Sequence, residues 1–191
     1  VYARLDDFRI GAFAEFVPIK EASLAPKPKG LTMEEAASLP LVALTAWQAL
    51  VEKGKLQKGQ KVFIQAGSGG VGTLAIQLAK HLGATVATTT SAANVALVKS
   101  LGADVVVDYK TQDFEDVLRD QDVVLNSQDG KTLTKSLRVL KPGGRLILQT
   151  KSDGPLGFLV AHYDAPGGLR GYASFDRARL DTMLAEGSGK I

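Results

Sequence analysis

Apolar residues in the middle of this chain switch between two periods, and the switching predicts its architecture. Val62, Phe63 and Ile64 form a short continuous apolar run after Lys61, as in a strand buried on both faces. From Val71 the apolar positions recur at 71, 74, 75, 78, 79 and 82, the repeat of a helix that stops near Gly83. The alternation continues with a strand over 84–89, a helix over 92–101 ending at Gly102, and a short strand over 104–107. A helical turn over 113–119, a strand over 122–126 and a helix over 131–140 follow. Lys141-Pro142-Gly143-Gly144 reads as a sharp turn into a strand at 145–149. Short apolar strands alternating with amphipathic helices predict an α/β fold, a doubly wound parallel sheet with the 61–66 strand at its centre.

The flanks are less regular. Thr32 and Glu35 have the spacing of a capping box and open a short helix, which should end before Pro40 because the residue ahead of a proline avoids the helical region. A second helix is expected over 43–52. Residues 1–28 read as short strands and turns, with weak alternation from Ala12 to Val17. Residues 151–170, broken by glycine and proline, read as loop, with an edge strand at 171–174. Asp176 or Asp181 would cap a last helix that ends before Gly187.

Between the central strand and its helix lie Gly67, Ser68, Gly69, Gly70, Val71 and Gly72. Gly67, Gly69 and Gly72 satisfy G-x-G-x-x-G after a strand and at the opening of a helix, the context that a dinucleotide site requires. The first glycine permits a tight turn, the second lets a pyrophosphate approach the backbone, and the third lets helix and strand pack closely. Free N–H groups at the helix start then face the phosphates. A strand-to-helix turn that needs only small residues would carry the same glycines. In this context they predict a Rossmann-type dinucleotide fold.

The 191 residues contain no cysteine, which excludes disulfides and thiolate zinc sites and fits a reducing, cytoplasmic setting. His81 and His162 are the only histidines and have no metal-ligand spacing, so no metal is expected. A net charge of +3 is too mild to imply nucleic acid, and no apolar run is long enough to span a membrane. The chain begins at Val1 rather than Met and reads as a fragment.

The choice of dinucleotide follows from a missing charge. An Asp or Glu about 20 residues beyond the glycines usually binds the ribose diol of NAD. Here the second strand leads into Thr90, Ser91 and Asn94, and no acid occurs between Glu52 and Asp104. Hydroxyls of Thr90 and Ser91, the Asn94 amide and Lys99 could hold a 2′-phosphate, which favours NADP(H). The plainer reading is that these residues satisfy their own loop backbone.

Several segments together resemble the zinc-independent quinone oxidoreductase branch of the medium-chain dehydrogenase/reductase superfamily: VYARLDDFRIGAFAEF, EEAASLPLVALTAWQAL, QAGSGGVGTLAIQLAK, LVKSLGADVVVDY and SLRVLKPGGRLI. The resemblance covers most of residues 1–150 and loosens beyond them. It implies a reduced nicotinamide cofactor that gives hydride to a quinone, enone or related electrophilic alkene, and a homodimer. It implies that residues 1–28 are the tail of a GroES-like domain whose larger part is missing, that 29–150 are the dinucleotide domain, and that 151–191 continue it. Carried onto this sequence, Ser68 to Val71 would hold the pyrophosphate, and Ser91 and Tyr109 would surround the 2′-phosphate. Thr45 would lie near the nicotinamide ribose or carboxamide, and backbone at Leu148, Gln149 and Thr150 near the nicotinamide end. No catalytic residue is identified. Two alternatives stand beside this one: a non-catalytic NADP(H)-binding protein of the same fold, and an S-adenosylmethionine methyltransferase. The second is suggested by LKPGGRLIL at 140–148, but Gln65 stands where that class carries an acid.

Overall fold

The computed structural model describes residues 1–5, 12–128, 130–150, 157–164 and 168–172. Strands β1 (Tyr2–Ala3) and β2 (Leu24–Ala25) pair antiparallel as a small separate ribbon. Helix α1 (Met33–Trp47) runs on into a wider π-type turn, Gln48–Lys53. Then come β3 (Lys61–Ile64), α2 (Gly70–His81), β4 (Thr85–Thr90), α3 (Val95–Ser100), β5 (Val105–Asp108), α4 (Phe114–Val117) and β6 (Gln121–Asn126). Helix α5 (Gly130–Val139) and strands β7 (Leu140–Thr150), β8 (Gly157–Asp164) and β9 (Gly168–Tyr172) complete the described order.

The large sheet has the order β5-β4-β3-β6-β7-β8-β9. Its first five strands are parallel, and β8 and β9 add antiparallel pairings. Strand β3 lies inside the sheet between β4 and β6, as the apolar run predicts. This is a Rossmann-type α/β fold. Alternate residues of β3 feed two cores. Val62 and Ile64 join Ala75, Ile76 and Ala79 of α2 on one face, and Phe63 joins Phe114 and Leu133 on the other. The small residues Gly72, Ala75 and Ala79 are the buried face of α2, so the helix lies close to the sheet.

Four expectations are corrected. Helix α1 does not stop before Pro40 but passes through it. The capping box does form, with the Thr32 amide donating to Glu35 Oε2 at 2.8 Å and the Glu35 amide to Thr32 Oγ1 at 3.2 Å. Pro40 is itself buried with Ala36, Thr45 and Ala46, and that packing offsets the backbone bond the proline cannot make. Second, 151–170 is not simply loop, because β8 pairs with β7 from Thr150↔Gly157 to Arg145↔His162, and β9 pairs with β8. The predicted edge strand at 171–174 therefore begins earlier, at Gly168. Third, Ala12–Val17 forms no strand, and Phe13 and Phe16 are exposed. Fourth, the Lys141–Gly144 turn is an irregularity within β7: Gly143 has φ 79°, and the pairing with β6 shifts register between Gln121 and Val123. The expected last helix with its caps at Asp176 or Asp181 lies outside the described residues.

Candidate functional site

The carboxyl ends of β3, β4 and β6 meet at one edge of the sheet, where the chain order turns from β3 toward β4 on one side and β6 on the other. Open α/β sheets bind ligands at such a switch point. The loop after β3 is held to β4: Gly67 N donates to Thr89 O at 2.9 Å, and Ala66 N to Thr89 Oγ1 at 3.1 Å. The residue in the left-handed region is Ala66, at φ 52°, and not Gly67. Gly67 is needed for space, since a Cβ there would fall 2.1 Å from Thr88 Oγ1. That threonine is fixed because its hydroxyl donates to Ile64 O at 2.6 Å. Gly72 is the tightest contact of helix and loop, with a Cβ falling 2.3 Å from Ala66 O and 2.7 Å from Gly67 Cα. The expected turn role of the first glycine therefore belongs to its neighbour, and the third glycine packs the helix on the loop.

Gly69 and Gly70 are exposed. A Cβ on Gly69 would approach only Ala66 O, at 3.2 Å, and one on Gly70 only Val42 Cγ1, at 3.3 Å. These positions keep the surface over the helix start low. The first amides of a helix have no intrahelical acceptor, and no acceptor among the described residues takes those of Gly70, Val71 and Gly72. The result is a bare helix N-terminus beside a flat glycine surface, which fits a pyrophosphate.

Four of the expected residues converge next to it. Thr90 Oγ1 donates to Ser68 Oγ at 2.9 Å. Asn94 Nδ2 donates to Ser68 Oγ at 3.3 Å and to Ser91 Oγ at 3.5 Å. Tyr109 N donates to Thr90 O at 3.3 Å, and the Tyr109 ring stands at the rim, 61% exposed. Thr90 is buried, while Ser68, Ser91 and Asn94 are half-buried. Lys99 sits in the last turn of α3, five residues beyond Asn94 along the helix. Thr45 is buried in α1 and donates to Leu41 O at 2.8 Å, within its own turn. Leu148 is a core residue of β7, Gln149 is half-buried, and Leu148, Gln149 and Thr150 pair with Leu159, Phe158 and Gly157 of β8.

A cavity of about 600 Å³ opens below the hydroxyl cluster. Ser68, Gly69, Thr90 and Tyr109 form one wall, and Asp113, Phe114, Gln128, Thr132 and Lys135 form the other. The residues of the second wall are absent from the sequence-based site, since they come from α4, the β6–α5 connection and α5 and share no local motif. Lys135 meets the Asp113 carboxylate and lies 3.8 Å from Glu115 Oε2. The bond to Asp113 holds its ammonium above the usual lysine range, against slight burial. Thr89 and Gln65, which also line the cavity, and Asn126 each follow the paired row Thr88, Ile64 and Leu125 of β4, β3 and β6, and all three are buried. Gln65 Nε2 donates to Ser136 Oγ at 2.8 Å, while Gln65 Oε1 and Asn126 Nδ2 have no partner among the described residues. Asn126 Oδ1 accepts from Gln128 N at 2.7 Å and so shapes the loop of the second wall.

Residues 70–163 match the family model described as zinc-binding dehydrogenase. A 2-methylene-furan-3-one reductase from Solanum lycopersicum is 42% identical over 152 residues, 78% of this chain and 38% of that protein. A chloroplastic NADPH-dependent alkenal/one oxidoreductase of Arabidopsis thaliana is 40% identical over 152 residues, 78% of this chain and 39% of that one. Over its matched residues the chain is similar to proteins of the medium-chain dehydrogenase/reductase superfamily. Within that superfamily, the solved quinone oxidoreductase from Coxiella burnetii superposes with a TM-score of 0.64 at 40% identity, covering 67% of this chain and 40% of that one. The chain thus spans about two fifths of the length of these relatives. The donor set does not fit the metal in the family description: the chain has no cysteine, and no group of three or more His, Cys, Asp or Glu among the described residues could hold an ion. No helix among the described residues is long and apolar enough to cross a membrane.

Proposed function

We propose that this chain is the dinucleotide-binding part of an NADPH-dependent oxidoreductase that transfers hydride to a quinone, enone or similar electrophilic alkene, without a metal. The observation that carries the reading is the hydroxyl and amide cluster of Ser68, Thr90, Ser91 and Asn94, set beside the bare N-terminus of α2. The amides of Gly70, Val71 and Gly72 would bind the pyrophosphate. The cluster, with Tyr109, would bind the adenosine 2′-phosphate. It holds no carboxylate, so nothing in it repels a dianion. Thr45 and the end of β7 at Leu148 to Thr150 are assigned to the nicotinamide half by the family resemblance. The reduced nicotinamide supplies the chemistry, and the protein orients it and excludes water. Names of relatives that act on alkenals, enones and quinones support the substrate class.

The same reading treats residues 1–28 as the tail of a GroES-like domain, 29–150 as the dinucleotide domain and 151–191 as its continuation. It makes the protein a cytoplasmic homodimer. The test uses the full-length protein containing this chain. Nicotinamide fluorescence should show NADPH binding more tightly than NADH, and NADPH should be oxidised on addition of a quinone or enone, with activity surviving chelation. Tight binding without turnover would make the protein a non-catalytic NADP(H) binder. Preference for NADH would overturn the 2′-phosphate assignment.

A further inference from the structure

Asp113 occupies the N-cap position of α4, where an aspartate ordinarily accepts a bond from the helix's own first amides. Here it makes no side-chain cap. Its carboxylate turns instead to Lys135 on α5, and both residues line the 600 Å³ cavity. Oδ1 of Asp113 meets the ammonium, and Oδ2 has no donor among the described residues. The cavity also offers aromatic surface, with the Tyr109 ring at the rim and Phe114 in the wall. Phe114 is fixed by its packing on Phe63, at 4.8 Å between ring centroids.

The position of this pair relative to the phosphate sites tells what it would meet. With the pyrophosphate on the start of α2 and the 2′-phosphate on the hydroxyl cluster, the adenosine ribose lies between them and its base enters the adjoining cavity. On its Watson–Crick edge, adenine shows an exocyclic 6-amino donor beside the N1 acceptor. Asp113 and Lys135 show the complement, a carboxylate acceptor beside an ammonium donor. We propose that Asp113 and Lys135 read the purine edge of the dinucleotide, the carboxylate accepting from the 6-amino group and the ammonium donating to the ring nitrogen, so that the pair is a specificity determinant for adenine. A site built to bond a polar substituent rejects an analogue that lacks it, because its own groups are then left unpaired. Hypoxanthine reverses the pattern at this edge, with an oxygen acceptor in place of the amino group and N–H in place of the ring-nitrogen acceptor.

This inference rests on the dinucleotide reading, and its test separates the two. Dissociation constants for NADPH and for its hypoxanthine counterpart are measured by nicotinamide fluorescence on the full-length protein, unmodified and as Asp113→Asn, Lys135→Met and Arg138→Met. The unmodified protein should bind the hypoxanthine form at least tenfold more weakly. Asp113→Asn, whose amide can donate to the purine oxygen, should narrow that gap to threefold or less. Lys135→Met should narrow it as well. Arg138→Met removes the neighbouring α4–α5 ion pair to Glu115, 2.9 Å long and 66% exposed at the arginine, and should keep the full gap. Equal binding of the two dinucleotides to the unmodified protein, or parallel losses for both in Asp113→Asn and Lys135→Met, would show the pair to be only a staple between α4 and α5. Failure to bind either dinucleotide would defeat the proposed function itself, and the specificity inference with it.

Discussion

Gly72 and Gly67 touch across the start of α2: a Cβ on Gly72 would lie 2.7 Å from Gly67 Cα and 2.3 Å from Ala66 O. The opposing atoms are backbone, so relief requires moving the loop. Gly72→Ala is expected to destabilise the protein by about 1–3 kcal/mol, the range for overpacking a closed site. It should also weaken NADPH binding, because the loop and helix start shift together. Gly69→Ala, which meets only one oxygen at 3.2 Å, should keep wild-type stability. Urea denaturation of the two variants, run in parallel with NADPH titration, checks the contrast.

Ala66 holds φ 52°, a conformation that costs an L-residue about 1–2 kcal/mol. Glycine adopts it freely but loses about 0.5–1 kcal/mol more chain entropy on folding. Ala66→Gly should therefore leave the protein unchanged or up to about 1.5 kcal/mol more stable, where glycine substitution usually destabilises. A loss of more than about 1 kcal/mol in urea unfolding would mean that the Ala66 methyl does more than the backbone argument allows.

Ser91 lies within 3.5 Å of the Asn94 amide in the hydroxyl cluster. Ser91→Asp would bring a carboxylate against a phosphate of charge near −2. At about 4 Å and an effective dielectric of about 20, each unit-charge pair costs on the order of 4 kcal/mol before screening. Half-exposed surroundings and salt reduce this, yet about 1.4 kcal/mol is already tenfold. NADPH should bind at least tenfold more weakly, and NADH should hold or improve. An unchanged NADPH-to-NADH affinity ratio in the folded variant would remove Ser91 from the site.

Two aspartates lock the sheet and make its stability sensitive to acid. Asp122 accepts from Lys61 N at 2.8 Å and pairs with the Lys141 ammonium. Asp104 accepts from Val86 N at 2.7 Å and from Lys80 Nζ at 2.9 Å. Burial opposes ionisation in both, but the bonds to lysine and backbone amides outweigh it and hold both carboxyls below the usual aspartate range. A depressed folded-state pKa contributes stability that is present above the unfolded value, about 3.9, and lost as pH falls through the folded one. The melting temperature should therefore be insensitive to these groups from pH 7 to about 5 and fall below about 4. Asp122→Asn should lower stability at neutral pH by about 1.5–3 kcal/mol, the range for a lost charged hydrogen bond, and flatten the acid limb. An acid limb equally steep in Asp122→Asn would assign it to other carboxylates.

The sequence alone determined the parallel core of this protein, and the reason is local. The β3–α2 unit announces itself because the buried run Val62–Ile64, the glycines and the 3.6-residue repeat are contiguous. Thr90, Ser91 and Asn94 were legible for the same reason, since they follow a strand at a spacing fixed by the βαβ unit. Tertiary structure decided the rest. Pro40 stays inside α1 on a buried face, and α1 packs on α2, a helix separate from it in sequence. Strand β8 exists through its ladder to β7, which no periodicity in a glycine-interrupted stretch reveals. Thr88 explains Gly67 only once β4 lies beside β3. Asp113 and Lys135, 22 residues apart, meet only when α4 and α5 pack on the same face of the sheet. A pattern along the chain records what each segment buries, whereas the site's second wall is made of side chains brought together by strand order.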